Sequence, residues 1–255
     1  MAGLRRAAAG RCAGGAASFA VAGGRGVGQT LIFSPGARGA VPLRFSLRSG
    51  AVQLLEFEIE GGLMEPGELA SLAPPRVDPS KPLVISGRGP QWLYQFLVHE
   101  YHFCRLLATF EPRLGKGVVV ESPSASEVGM AIDPATGALS EEKLGSGGGF
   151  AVDLLKLGEL QLAYVKVEGA FPEPLAMRGF DWLKLRSEVD STRPALFYGL
   201  APIWLGARVA AVLGNLVPWY GVYDPRLGCA VVVARHDLSA PPVGSRVGVR
   251  AAPLG

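Results

Sequence analysis

Three settings in this chain hold residues that could do chemistry on a phosphate or a metal ion. Arg88 stands between two glycines in Ser86-Gly87-Arg88-Gly89-Pro90, after an apolar run and before a helical pattern. Such a turn lets backbone N–H groups approach an anion, the helix N-terminus adds positive potential, and the guanidinium supplies a bidentate donor. His99 and His102 are three apart, on one face of that helix, with Glu100 between them. The spacing is not that of the H-E-x-x-H zinc helix, yet paired imidazoles hold metals or pass protons near neutral pH. The turn Asp224-Pro225-Arg226-Leu227-Gly228 precedes an apolar strand and then His236. Aspartate and histidine are both metal-ligand types, and Arg226 adds a second guanidinium. Each setting also has a plain structural reading: a tight glycine turn, an exposed helix end, a generic Asp-Pro turn.

The elements that must position these groups occur twice. Pro82 to Ser122 and Pro194 to Arg235 read as one plan: Pro90 and Trp92 answer to Pro202 and Trp204, and Glu111-Pro112-Arg113-Leu114-Gly115 answers to Asp224-Pro225-Arg226-Leu227-Gly228. Upstream, Val77-Asp78 pairs with Val189-Asp190, and Ile59-Glu60-Gly61 with Val167-Glu168-Gly169. This is a tandem duplication of one small module. Each copy reads strand, glycine turn, helix, strand, so the fold class is α/β, with two tandem Rossmann-like modules. Ligands of such sheets bind beyond the carboxyl ends of the strands, where Arg88 lies.

The repeat is its own control. Where the first module has Arg88, the second has Leu200 in Gly199-Leu200-Ala201-Pro202; Ala211 and Gly214 stand in for His99 and His102. Conversely, the first module has Glu111 and Arg113 for Asp224 and Arg226, and Ser122-Pro123 where His236 would fall. Neither loop arginine nor histidine is therefore needed for the fold, and a composite site drawing on both copies explains the sorting.

Boundaries follow from composition. Residues 1–40 are Ala-, Gly- and Arg-rich without periodicity and are expected to be a disordered tail. They are acid-poor like a transit peptide but lack an apolar h-region. Within them, Gly23 to Thr30 imitates a phosphate loop, but Gln29 replaces its lysine, and Pro35 and Gly36 preclude the following helix. Residues 41–122 form the first module, 123–149 a flexible linker and 150–255 the second module. The formal charge of +3 is misleading, because residues 1–55 hold seven arginines and no acid, leaving the remainder mildly acidic. Any basic surface is therefore local, and DNA is not an expected partner. Cys12, Cys104 and Cys229 show no CxxC spacing; the latter two read as core residues of a reduced compartment. Leu196 to Tyr223 is nearly all apolar, but its first-module copy carries Arg88, His99, Glu100, His102 and Arg105, so it reads as a buried strand–helix–strand rather than a membrane span.

The segments VISGRGPQWLYQFLVHEYH and YDPRLGCAVVVARH resemble, in order, the central motifs of a CRISPR-associated family of small ring nucleases, the third of the Csx series. The resemblance covers both copies, from about Val41 onward. It implies a Rossmann-like sensor fold, a cytoplasmic role in antiviral defence, and cleavage of cyclic tetra-adenylate or a short RNA end with manganese in a site shared between stacked dimers. It implies His102, Asp224 and Arg226 as catalytic residues, and Asp224, His236 and His99 as metal ligands. Gly87, Arg88, Gly89, Pro90 and Arg113 are expected to bind the substrate. The chain departs from the pattern in both halves: Glu111 replaces the aspartate in the first, while the second lacks the loop arginine and both helical histidines. It therefore resembles a fused pseudo-dimer whose halves each supply part of the site, in which adenines could stack on Trp92, Tyr94 or Tyr101. Both tryptophans are expected in the core, since both copies keep them. The alternatives are a non-catalytic binder that sequesters the ring and a metal-dependent exoribonuclease acting on linear RNA.

Overall fold

The computed structural model describes residues 29–33, 42–145, 147–169 and 171–249. They form two sheets with helices between them. The first sheet has β1 (Gln29–Phe33), β2 (Leu43–Ser49), β3 (Gln53–Ile59), β4 (Leu83–Gly87), β5 (Leu107–Glu111), β6 (Lys116–Glu121), β7 (Ala131–Ile132) and β8 (Leu139–Ser140), in that spatial order. The second has β9 (Gly149–Leu157), β10 (Leu160–Glu168), β11 (Ala195–Tyr198), β12 (Trp219–Asp224), β13 (Cys229–Arg235) and β14 (Arg246–Val247), also in sequence order. β3, β4 and β5 run parallel, as do β10, β11 and β12, while flanking pairs are antiparallel. The duplication read from the sequence is thus a duplication of topology.

The strand patterns explain the faces. Leu43, Phe45 and Leu47 of β2 point inward, while Arg44 and Arg48 point out to pair with Glu60 and Glu56. A buried glutamine opens each parallel unit. The Gln53 amide grips the Asp78 backbone, donating to its carbonyl at 2.8 Å and accepting from its N–H at 2.7 Å; Gln161 does the same for Asp190 at 2.7 and 3.1 Å. That clamp is why Val-Asp recurs ahead of both strands. Each aspartate side chain then closes its own turn on Ser80 or Thr192.

The helix of each crossover lies between the sheets. α1 (Gln91–Glu100) and the later α4 (Ile203–Leu213) pack on each other, α1 also against β12 and β13, and α4 against β5 and β6. Each helix therefore covers the other module's sheet, and one apolar cluster runs through both halves. The short α2 (Ala176–Gly179) and α3 (Trp182–Glu188) precede β11, and α3 packs on α4. Gly206 is where the helices cross, because a Cβ there would stand 2.6 Å from Gln91 Oε1 and 2.8 Å from Gln95 Nε2. Gln95 accepts a hydrogen bond from Tyr220 Oη at 2.9 Å, and Gln91 Nε2 donates to the Ala201 carbonyl at 2.8 Å. These polar contacts tie the first helix to the second module.

Several expectations need correction. Residues 29–33, inside the expected tail, form an edge strand on β2; residues 23–28 of the phosphate-loop lookalike lie outside the described residues, and Gln29 and Thr30 are extended. The expected linker carries two short strands of the first sheet, since β7 pairs with β6 and β8 with β7. Alternation too short to detect over two-residue strands hid it. The helical pattern after the glycine turn ends at Glu100, where Tyr101 leaves the helix and anchors its hydroxyl on the Pro75 carbonyl. Leu196 to Tyr223 is the strand–helix–strand expected, and among the described residues no helix is long and apolar enough to cross a membrane. Cys104 and Cys229 are free and buried.

Candidate functional site

The glycine turns are built by close approach. β4 ends at Gly87, where a Cβ would stand 2.6 Å from the Phe57 carbonyl oxygen of β3; in the second module a Cβ on Gly199 would stand 2.5 Å from the Val165 oxygen. Both modules need this glycine for packing the turn on the neighbouring strand. A Cβ at Gly89 would lie 2.8 Å from the Phe57 ring. With Val165 in place of that phenylalanine, the second module has Ala201 there. Pro90 and Pro202 cap the two helices. What distinguishes the first loop is Arg88.

That loop faces the other module. Arg88, Gly89, Pro90 and Trp92 line one cleft of about 430 Å³ together with Asp224 and Arg226. Asp224 ends β12 and is buried, its side chain 7% exposed, whereas the Arg226 side chain is 75% exposed. Arg226 forks over the carboxylate, Nε donating to Oδ1 at 3.1 Å and Nη2 to Oδ2 at 2.7 Å, with its backbone N–H also on Oδ1 at 2.9 Å. These hydrogen bonds hold the Asp224 carboxyl below its ordinary range, and the Trp92 indole of the other module adds to the effect. The carboxylate thus stays ionised and fixes the guanidinium, whose outer N–H groups remain open to the cleft.

The pseudo-equivalent turn is closed. Arg113 forks over Glu111 at 2.8 and 3.0 Å, and its guanidinium lies 3.3 Å from the Phe171 ring centroid. Burial pushes the Glu111 carboxyl up, but Arg113 outweighs this and the net shift is downward; the Trp204 indole faces it without a hydrogen bond of good geometry. Leu200, 86% exposed, stands where Arg88 would be. Arg113, expected to bind the substrate, is therefore held under an aromatic ring and away from the cleft that Arg88 lines.

The three histidines of the chain gather at the opposite end of the helix layer. The His99 ring centroid is 5.5 Å from that of His102 and 5.1 Å from that of His236, so residues of both modules meet here too. His99 is half-buried, and burial, then His236 and His102, push its pKa down to about 4, leaving it neutral at pH 7. His236 Nε2 lies 2.8 Å from the Gly214 carbonyl and His102 Nδ1 lies against the His99 carbonyl. A carbonyl only accepts, so both ring atoms carry the proton. In its neutral form the exposed His102 then has its unprotonated Nε2 free, as a general base requires.

This geometry corrects the single composite site expected from the sequence. β12 and β13 are antiparallel, with Trp219 opposite Arg235 and Asp224 opposite Cys229, so Asp224 and His236 stand at opposite ends of one hairpin. At roughly 3.4 Å per residue they are about 20 Å apart. Within one chain they cannot share a metal ion, and His99 keeps company with His236, not Asp224. His102 is likewise separated from Arg88, since α1 lies between them; its rise is roughly 15 Å at 1.5 Å per residue. Among the described residues no group of three or more His, Cys, Asp or Glu side chains is arranged to hold an ion. Trp92, Tyr94 and Tyr101 are all buried, so none offers a face for adenine. Tyr94 instead donates to the Gly87 carbonyl at 2.7 Å and Tyr101 to Pro75. Phe171, Gln91 and Gln95 carry no recognisable motif; their roles arise only from contact with the other module.

A sequence profile described as "CRISPR-associated protein (Cas_csx3)" matches residues 57–133 and, again, residues 173–247. The second match repeats the first on the other module. A protein of Aquifex aeolicus (strain VF5), described as uncharacterized, is 44% identical over 78 residues, which are 29% of this chain and 69% of the relative. That relative is little longer than a single module.

Proposed function

This chain belongs to the Cas_csx3 family of CRISPR-associated proteins, and we propose that it is a ring nuclease that opens cyclic tetra-adenylate in a site completed between two stacked copies. One observation carries the reading: the acid–arginine cleft and the imidazole cluster lie at opposite ends of the molecule. One chain cannot bring them together, but a neighbour stacked head to tail presents its histidine end to the cleft. Such heterologous contacts repeat into open stacks.

In this arrangement Arg88 and Arg226 hold one phosphodiester, and Asp224 keeps Arg226 oriented. His102 of the neighbouring copy takes the proton from the adjacent 2′-hydroxyl through its bare Nε2. O2′ bonds to phosphorus, the P–O5′ bond breaks, and the proton ends on the 5′ oxygen. The arginines meet the charge growing on the phosphate oxygens, typically the largest contribution in such a site. Manganese is implied by the resemblance, but the expected donors Asp224, His236 and His99 do not converge within a chain, so no step is assigned to a metal.

The test is incubation of the chain with cyclic tetra-adenylate over a range of protein concentrations, followed by chromatography of the products. Ring opening whose rate per chain rises with concentration, and which is lost in Asp224→Ala, is the expected result. A ring recovered intact and bound would instead support a sequestering binder. A rate per chain that stays constant down to the monomer would rule out a shared site.

A further inference from the structure

The two modules repeat one topology, and each packs its helix on the other's sheet, so a fully matched pair would carry two sets of reactive groups. This chain carries one. The complete set is Arg88 of the first module with Asp224 and Arg226 of the second, and, at the far end, His99 and His102 with His236. The symmetry-related set keeps the Glu111–Arg113 fork but lacks the loop arginine and the helix-end imidazoles, in ways built into the packing. Leu200 puts an uncharged side chain where the loop arginine would be. Arg113 is stacked 3.3 Å from the Phe171 ring centroid and tied to Glu111, so its guanidinium is not offered to the Leu200 loop. Gly214 replaces His102, and a Cβ there would stand 2.7 Å from the Ala210 carbonyl, so the helix end accepts no side chain without shifting. Its own carbonyl is taken by His236.

A cyclic tetranucleotide has four chemically equivalent linkages. Two sets of groups acting across a twofold would cut opposite linkages in one encounter and release two dinucleotides. Resting on the ring-opening reading above, we infer that this chain makes a single cut per encounter and releases a linear tetranucleotide with a 5′-hydroxyl and a 2′,3′-cyclic phosphate. Atoms balance: O2′–P replaces O5′–P, and the proton of the 2′-hydroxyl becomes that of the 5′-hydroxyl. Dinucleotides then arise only when the linear product binds again. The reaction that must follow is therefore a second phosphodiester cleavage on a linear chain, by this protein or by another nuclease.

The test is a time course on the full-length wild-type chain with the ring in large excess, quenched early, with linear tetranucleotide and dinucleotide resolved by chromatography. Linear tetranucleotide should be the main product at first, with dinucleotide rising after a lag, because it forms only once the linear product has accumulated and rebound. Dinucleotide appearing in step with ring loss, without a linear intermediate, would overturn the single cut while leaving the ring-nuclease reading intact. A ring that is never opened would overturn that reading, and the single cut with it.

Discussion

The turns that follow β5 and β12 have the same grammar, acid-Pro-Arg-Leu-Gly, and nearly the same internal hydrogen bonds. Their surroundings differ. At Asp224 the arginine side chain is 75% exposed and lines a cleft with Arg88; at Glu111 it is 46% exposed, its guanidinium against the Phe171 ring. A motif therefore does not make a site: the same fork borders a cleft in one module and packs against an aromatic ring in the other.

The comparison would break first at the arginines. Replacing Arg226 with Ala should slow ring opening by about two to three orders of magnitude, the usual cost of removing a donor aimed at developing charge. Arg113→Ala should leave the rate within roughly twofold, because it removes only packing against Phe171 and Glu111. Similar losses for the two variants would mean that both turns act. Arg88→Leu, which makes the first loop like the second, should weaken ring binding by about tenfold or more, as expected for losing a charge-assisted hydrogen bond, measurable by titration with Asp224→Ala as the non-cleaving background.

The histidine end sharpens the contrast through pH. His99 sits at about 4 in the folded chain, facing His102 and His236, against about 6.5 for an unfolded chain. Between those values the unfolded chain takes up a proton that the folded chain refuses. Stability from this group is therefore full above about pH 6.5 and is lost as pH falls toward 4, by on the order of 2 kcal/mol given the partial exposure of the ring. Denaturant unfolding across that window should show the loss, and His99→Gln should flatten it. The smallest effect is expected for Leu200→Arg. Restoring one charge to the incomplete set should change ring opening by less than about twofold, since Gly214 and Arg113 remain as they are.

Much of the scaffold was legible in the sequence because the repeat made it so. The doubled glycine turn, the paired tryptophans and the Val-Asp clamps each have a local cause, and two copies expose it. The two-residue strands β7 and β8 escaped, since a pattern of period two needs more than two residues to be seen. The site residues were recognisable as types, but their grouping was not. Asp224 and His236 flank one strand hairpin, and only its antiparallel register shows that twelve residues of chain carry them to opposite ends. Phe171 over Arg113 could not be anticipated either, because the cap comes from the other module.

The most direct test of the shared site mixes two inactive chains. Asp224→Ala keeps the histidine end and His102→Ala keeps the cleft, so each variant alone lacks a complete contact. In an equimolar mixture about a quarter of head-to-tail contacts pair an intact cleft with an intact histidine end. The account predicts that ring opening reappears on mixing, approaching that fraction of the wild-type rate. A mixture as inactive as its components would contradict it.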